Sequence, residues 1–115
     1  MKYRSPLLIC LGLLLLFSGC AAPPLYYYGN YSRTLYHAKK DGTPESQKKH
    51  MASLLDVIET SKKKNLRVPP GIYCEYGYWL ALANSSDADR YFALEVQTYP
   101  ESTRFVELLR SQIKK

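Results

Sequence analysis

Tyr73–Pro100, YCEYGYWLALANSSDADRYFALEVQTYP, decides the fold of this chain. Tyr73, Tyr76, Gly77 and Leu80 recur at helical spacing and share one face. Asn84-Ser85-Ser86-Asp87 is a turn, with Ser85 or Ser86 positioned to cap the next helix. Ala88, Tyr91, Phe92, Glu95 and Val96 repeat the spacing on that second helix, which ends at Tyr99-Pro100. Gly77 and Ala88 are small where two helices would approach closely, and Tyr73 and Phe92 are large enough to fill the gap between them. The stretch reads as a helical hairpin.

The periodicity extends on both sides. Asn30 or Ser32 can cap a first short helix to about Lys40, with Tyr31, Leu35 and Ala38 on one face and Asp41-Gly42 as its stop. Thr43-Pro44-Glu45 starts a second helix with a capping hydroxyl, a proline at the first helical position and an acid in the first turn. Met51, Leu54, Leu55 and Ile58 form its apolar stripe, Lys62–Lys64 suit its dipole, and Asn65 ends it. Pro69-Pro70-Gly71 restarts the chain into the third helix, about Pro70–Ala83. A fifth helix begins near Glu101 and buries Phe105, Leu108, Leu109 and Ile113. No window alternates with period two over a useful length, so the expected class is all-α with about five helices.

The spacing Tyr73-x2-Tyr76-Gly77-x2-Leu80, Ala88-x3-Phe92 and Pro100 resembles the tetratricopeptide pattern W-x2-L-G-x2-Y, A-x3-F and P. Tyr76 and Leu80 depart from the usual residue types, Glu95 stands where a small residue is usual, and the turn is one residue short. The resemblance implies a right-handed helical stack over residues 30–115. It also implies a concave face lined by the first helix of the pair, here at Cys74, Tyr78 and Ala81. These candidate partner-binding residues lack the basic and asparagine-rich character of a carboxylate clamp and suit an apolar or aromatic peptide.

The N-terminus carries a second signal. Lys2 and Arg4 precede the apolar run Leu7–Phe17, and Phe17-Ser18-Gly19-Cys20 closes it. The run is too short for a membrane span, which needs about 20 apolar residues. Basic start, apolar middle and small-residue end describe a secretory signal peptide, and the cysteine behind the small pair makes it resemble a bacterial lipobox. That resemblance implies cleavage between Gly19 and Cys20, a diacylglyceryl thioether on Cys20, and an acylated new N-terminus. It divides the chain into a signal peptide at 1–19, a lipidated tether at 20–29 and a helical domain at 30–115. Ala21, rather than Asp, behind the cysteine implies sorting to the outer membrane with the domain in the periplasm. The membrane partner is then reached through covalent lipid, and two or three acyl chains anchor stably where one is marginal.

Composition narrows the function. The chain of 115 residues carries a net charge of +6, with 46% apolar residues and a single Trp79, which suits one small folded domain. With Cys10 removed and Cys20 acylated, Cys74 is the one remaining thiol, so packing rather than a disulfide holds the core. No cation stands beside Cys74 in sequence to activate it, so it reads as a small apolar residue. Residues 21–67 hold nine basic and four acidic side chains. The candidate basic patch is Lys48, Lys49, Lys62, Lys63 and Lys64, which either faces anionic lipid or solvates a helix exterior. Tyr26-Tyr27-Tyr28 can sit at a membrane interface or seal the domain.

Export separates the protein from nucleic acid. His37 and His50 are thirteen residues apart on different helices, with no HExxH, no GxSxG and no paired metal ligands. Neither enzyme activity, nor a cofactor, nor a bound metal is expected.

Tyr28-Gly29-Asn30-Tyr31-Ser32, Leu35-Tyr36, Arg67-Val68-Pro69-Pro70-Gly71-Ile72-Tyr73, Tyr91-Phe92, Glu95 and Thr98-Tyr99-Pro100-Glu101-Ser102 together resemble a family of small bacterial lipoproteins of unknown function. The resemblance covers about residues 26–110, and the Pro-Pro-Gly segment is its most specific part. It implies genomic company with a lipoprotein similar to the curli secretion channel, and hence an envelope complex with other lipoproteins as partners. The chain is accordingly expected to be a non-catalytic interaction or assembly factor. The alternative is a lipoprotein binding peptidoglycan or anionic lipid through the lysine-rich second helix.

Overall fold

The computed structural model describes Gly19 and residues 21–114. The signal-peptide reading of residues 1–18 and the lipidation site Cys20 lie outside the described residues. Gly19 is exposed. Among the described residues five α-helices succeed one another: α1 Tyr31–Asp41, α2 Pro44–Lys63, α3 Ile72–Leu82, α4 Ala88–Thr98 and α5 Thr103–Ile113, with a 3-10 turn Pro100–Ser102 ahead of α5. The described residues contain no strand, as the absence of period-two patterning requires. α1 packs on α2 and α3 on α4, while α3 also touches α2 and α5.

Local chemistry explains the boundaries. Thr43 Oγ1 accepts the Ser46 N–H at 3.2 Å, and Pro44 takes the first helical position of α2. At the other end Asn65 is left-handed at φ 53°, and the Leu66 N–H reaches the Ser61 carbonyl at 2.8 Å, closing the helix with a Schellman bond. α3 starts two residues later than the proline pair suggests. Gly71 sits at φ 86°, a backbone conformation with no steric cost only for glycine, and turns the chain into the helix.

The α3–α4 hairpin packs as its spacing demands. A Cβ at Gly77 would lie 3.2 Å from the Ala88 carbonyl oxygen and from the Phe92 ring, so the helices approach as closely as a missing side chain allows. Phe92 is buried behind it with Ala88, Cys74 and Val106. Leu54, Val57, Ile58, Val68, Ile72 and Tyr73 form the second half of the core, between α2 and α3.

Two apolar stripes lie differently from their sequence reading. On α2 the buried face is Ser46, His50, Ser53, Leu54, Val57, Ile58 and Ser61, while Met51 and Leu55 are half-buried. Polar residues fill half of that face, which rotates the contact away from the purely apolar stripe. On α5 Val106 is buried, whereas Phe105 and Leu108 are 60% and 58% exposed. The 3-10 turn precedes α5 directly, and burial of Val106 sets its phase, with an exposed ion pair from Arg110 Nε to Asp89 Oδ1 at 3.2 Å beside it. Val106 therefore enters the gap beside Cys74 and Phe92, and Phe105, one residue earlier, turns outward.

Glu95 accounts for its own departure from the repeat pattern. Its carboxylate is buried at 1% exposure and crosses to the start of α3. Oε1 accepts the Gly71 N–H at 2.9 Å and Oε2 accepts the Cys74 N–H at 3.3 Å, with Ser102 Oγ at 3.4 Å. An acid from a neighbouring helix thus caps α3, whose own N-cap residue has no side chain, and it meets the positive end of that helix dipole. Replacing Glu95 by Ala strands two N–H donors and should cost about 2–4 kcal/mol in urea unfolding. Gln, which keeps one acceptor oxygen, should cost less.

Candidate functional site

The three residues expected on an open concave face line a groove between α3 and α5. Gly71, Cys74, Glu75 and Tyr78 of the α3 side face Phe105 and Leu109 of α5 around a cavity of about 330 Å³. A second cavity of about 320 Å³ continues from Tyr78 along Ala81, Leu82, Asn84, Gln112 and Ile113. Tyr78 and Ala81 are half-buried and available at the rim. Cys74 requires a correction: at 3% exposure, under Val106 and beside Phe92, it is floor rather than contact. Burial, followed by the Glu95 and Glu75 carboxylates, pushes its thiol up to about 11. Periodicity alone puts Phe105 and Leu108 in the core; the structure leaves both in solvent and makes Phe105 part of the apolar wall of the groove.

The lysines do not form one patch. Lys48 and Lys49 sit near the start of α2 and Lys62–Lys64 at its end, about 20 Å apart at 1.5 Å per helical residue. Lys49 pairs with Glu45 at 3.6 Å. Lys62 lies 5.8 Å from the Tyr73 ring centroid, and Lys64 lies 4.7 Å from that of Tyr27. The tyrosine triplet packs on the domain. Tyr27 donates to Asp56 at 3.0 Å, and the Tyr26 hydroxyl lies 3.5 Å from that of Tyr99.

His50, isolated in the sequence, is the centre of a buried network. Its Nε2 lies 2.7 Å from Glu75 Oε1 and its Nδ1 2.9 Å from Thr34 Oγ1. Tyr31 donates to the other Glu75 oxygen at 2.8 Å, and Thr34 donates to the Tyr31 carbonyl at 3.0 Å. Burial and the Glu75 carboxylate push the Tyr31 phenol upward, so it stays a donor at any physiological pH. Tyr31 and Thr34 come from α1, His50 from α2 and Glu75 from α3, so the network ties three helices. The sequence carries two signals for it: His50 falls four residues before Leu54 on the buried face, and Glu75 is the single charged residue of α3. His37 is exposed and pairs with Asp41 at 3.2 Å. Among the described residues no His, Cys, Asp and Glu group is arranged to hold a metal ion.

The architecture is that of a five-helix all-α domain with an interhelical groove. The chain belongs to the family described as a domain of unknown function, DUF4810, which matches residues 25–109. That span covers all five helices almost to the end of α5, and it coincides with the region from Tyr26 to about residue 110 that carries the resemblance. Neither the curated proteins nor the solved structures contain a match.

Glu75→Leu leaves Nε2 of the fully buried His50 without a partner and should cost about 1–3 kcal/mol, whereas His50→Leu leaves Glu75 partly exposed and still bonded by Tyr31 and should cost less. The double change should cost clearly less than the sum of the two in a denaturation cycle. The Cys74 thiol should resist alkylation near neutral pH, as followed on its own peptide by mass spectrometry. Because its folded value lies above that of an unfolded thiol, stability is intact below about 9 and falls as pH rises from 9 towards 11.

Proposed function

We propose that the protein is an outer-membrane-anchored periplasmic lipoprotein, attached through Cys20, that acts as a non-catalytic interaction or assembly factor in an envelope complex. The observation that carries this reading is the α3–α5 groove, an apolar channel whose wall residue Phe105 is left in solvent, with the exposed Leu82 on the cavity that continues it. Large apolar residues grouped at a concave surface mark a protein contact, because water offers them no compensating interaction and a partner's apolar side chain does. An amphipathic helix or extended segment bearing aromatic anchors fits that surface. The family resemblance suggests another envelope lipoprotein as the partner, with the relative of the curli secretion channel as first choice.

The position of the network around His50 also favours a structural rather than a reactive role. Its imidazole is sealed from solvent, and the one hydroxyl beside it already donates to a backbone carbonyl.

A photo-reactive residue at Tyr78, activated in living cells, should crosslink to one discrete envelope protein. Phe105→Asp with Leu82→Asp should abolish that adduct while leaving the circular dichroism and unfolding midpoint close to the parent, because both side chains are exposed. An adduct that survives the double change removes the groove from the contact. The mass of the protein extracted from membranes reports the anchor separately, since a chain beginning at Cys20 with added acyl mass is required.

A further inference from the structure

We infer that Lys63, Lys64 and Arg67 form a basic collar at the root of the N-terminal segment and seat against an anionic lipid surface, fixing how the domain stands on the membrane. The inference rests on the anchored reading above for its location, and on the structure for its residues. Two contacts define the collar. Lys64 Nζ lies 4.7 Å over the Tyr27 ring, whose hydroxyl is tied to Asp56 on α2. The Arg67 guanidinium lies 4.3 Å over the Tyr99 ring and donates to the Thr98 carbonyl, while the Tyr26 hydroxyl sits 3.5 Å from that of Tyr99. The segment preceding Leu25 therefore leaves the domain beside two docked tyrosines, Tyr26 and Tyr27, with a cation close to each.

Distance and charge then agree. Residues 21–25 reach less than about 20 Å even when extended. They are preceded by the apolar run Leu7–Phe17 and by Cys20, so either an acyl anchor or a retained leader brings the collar close to lipid. Attraction to anionic headgroups decays over a Debye length of about 8 Å, and a tether this short allows approach to within it. Lys63, Lys64 and Arg67 are exposed, and Lys62 stands beside them. The nearby acids, Asp56 and Glu59, are fewer, and Asp56 is engaged by Tyr27 and Thr60. Leu25 and Tyr28, 73% and 46% exposed, add an apolar and an amphipathic side chain to the same root, the composition that interfacial contact favours. Lys48 and Lys49, at the far end of α2 beside Glu45, lie outside the collar.

Amine footprinting of the full chain tests this without a substitution. The protein, extracted from membranes, is reconstituted into nanodiscs of phosphatidylcholine alone or with phosphatidylglycerol, treated with an amine-acylating reagent, and read lysine by lysine by mass spectrometry. Acylation of Lys63 and Lys64 should fall roughly fivefold or more in the anionic discs, the scale expected from the attraction of one cation to such a surface. It should recover in about 0.5 M salt, where exposed charges are screened. Lys48 and Lys49 should be modified equally in both discs. Equal modification of Lys63 and Lys64 in the two lipids overturns the collar alone, as does protection shared by all four lysines. A chain that enters neither disc overturns the anchor as well.

Discussion

α3 is apolar on every side except at Glu75, and two carboxylates decide where it sits. Apolar burial drives it inward but is non-directional; the close approach at Gly77 sets its spacing to α4, and hydrogen bonds add direction. Glu95 from α4 holds the first turn by two backbone N–H groups. Glu75, projecting the other way, accepts from His50 of α2 and Tyr31 of α1. These bonds are short-ranged and stereospecific, and each leaves a buried polar group unpaired if the helix shifts. Apolar contact supplies the magnitude and the carboxylates supply the register.

Much of this architecture is legible in the chain itself. Thr43-Pro44-Glu45, Asp41-Gly42 and Asn65 are local devices whose geometry depends on a few adjacent residues, and they bound α1 and α2 as expected. Gly77 and Phe92 state a close helix approach in two letters. The departures come from non-local causes. His50 and three serines look like a solvent face until Glu75 and Thr34 arrive from other helices to satisfy the imidazole. Glu95 looks like a defect in a repeat until the fold brings the Gly71 and Cys74 N–H groups within reach of its carboxylate. The phase of α5 depends on the gap that Cys74, Ala88 and Phe92 leave for Val106, which periodicity within α5 cannot express.

The groove is half legible for the same reason. Cys74, Tyr78 and Ala81 share a stripe of α3 by spacing alone, and the stripe does line the channel. The opposite wall belongs to α5, and a one-residue change in its phase exchanges Val106 for Phe105 between core and lip. The lysines show the converse limit. Five cations on one helix look like one patch, yet a helix of 20 residues spreads them over its length. Only the packing of Tyr27 and Tyr99 distinguishes the set beside the N-terminal segment from the set remote from it.

Those tyrosines also connect the two ends of the proposed role. Tyr26 lies against Tyr99, and Tyr99 donates to the Val68 carbonyl at 2.7 Å, pinning the start of the Pro69-Pro70-Gly71 segment. Gly71, at the end of that segment, is held by Glu95, which also holds the N–H of Cys74 at the groove floor. Each step is a buried or half-buried hydrogen bond within a closely packed interior, where a small displacement has no free volume to occupy. The root of the N-terminal segment and the floor of the groove are therefore joined by a continuous chain of polar contacts. If the proposed lipid contact holds the first, it also constrains the second, because the same hydrogen-bonded segment joins them.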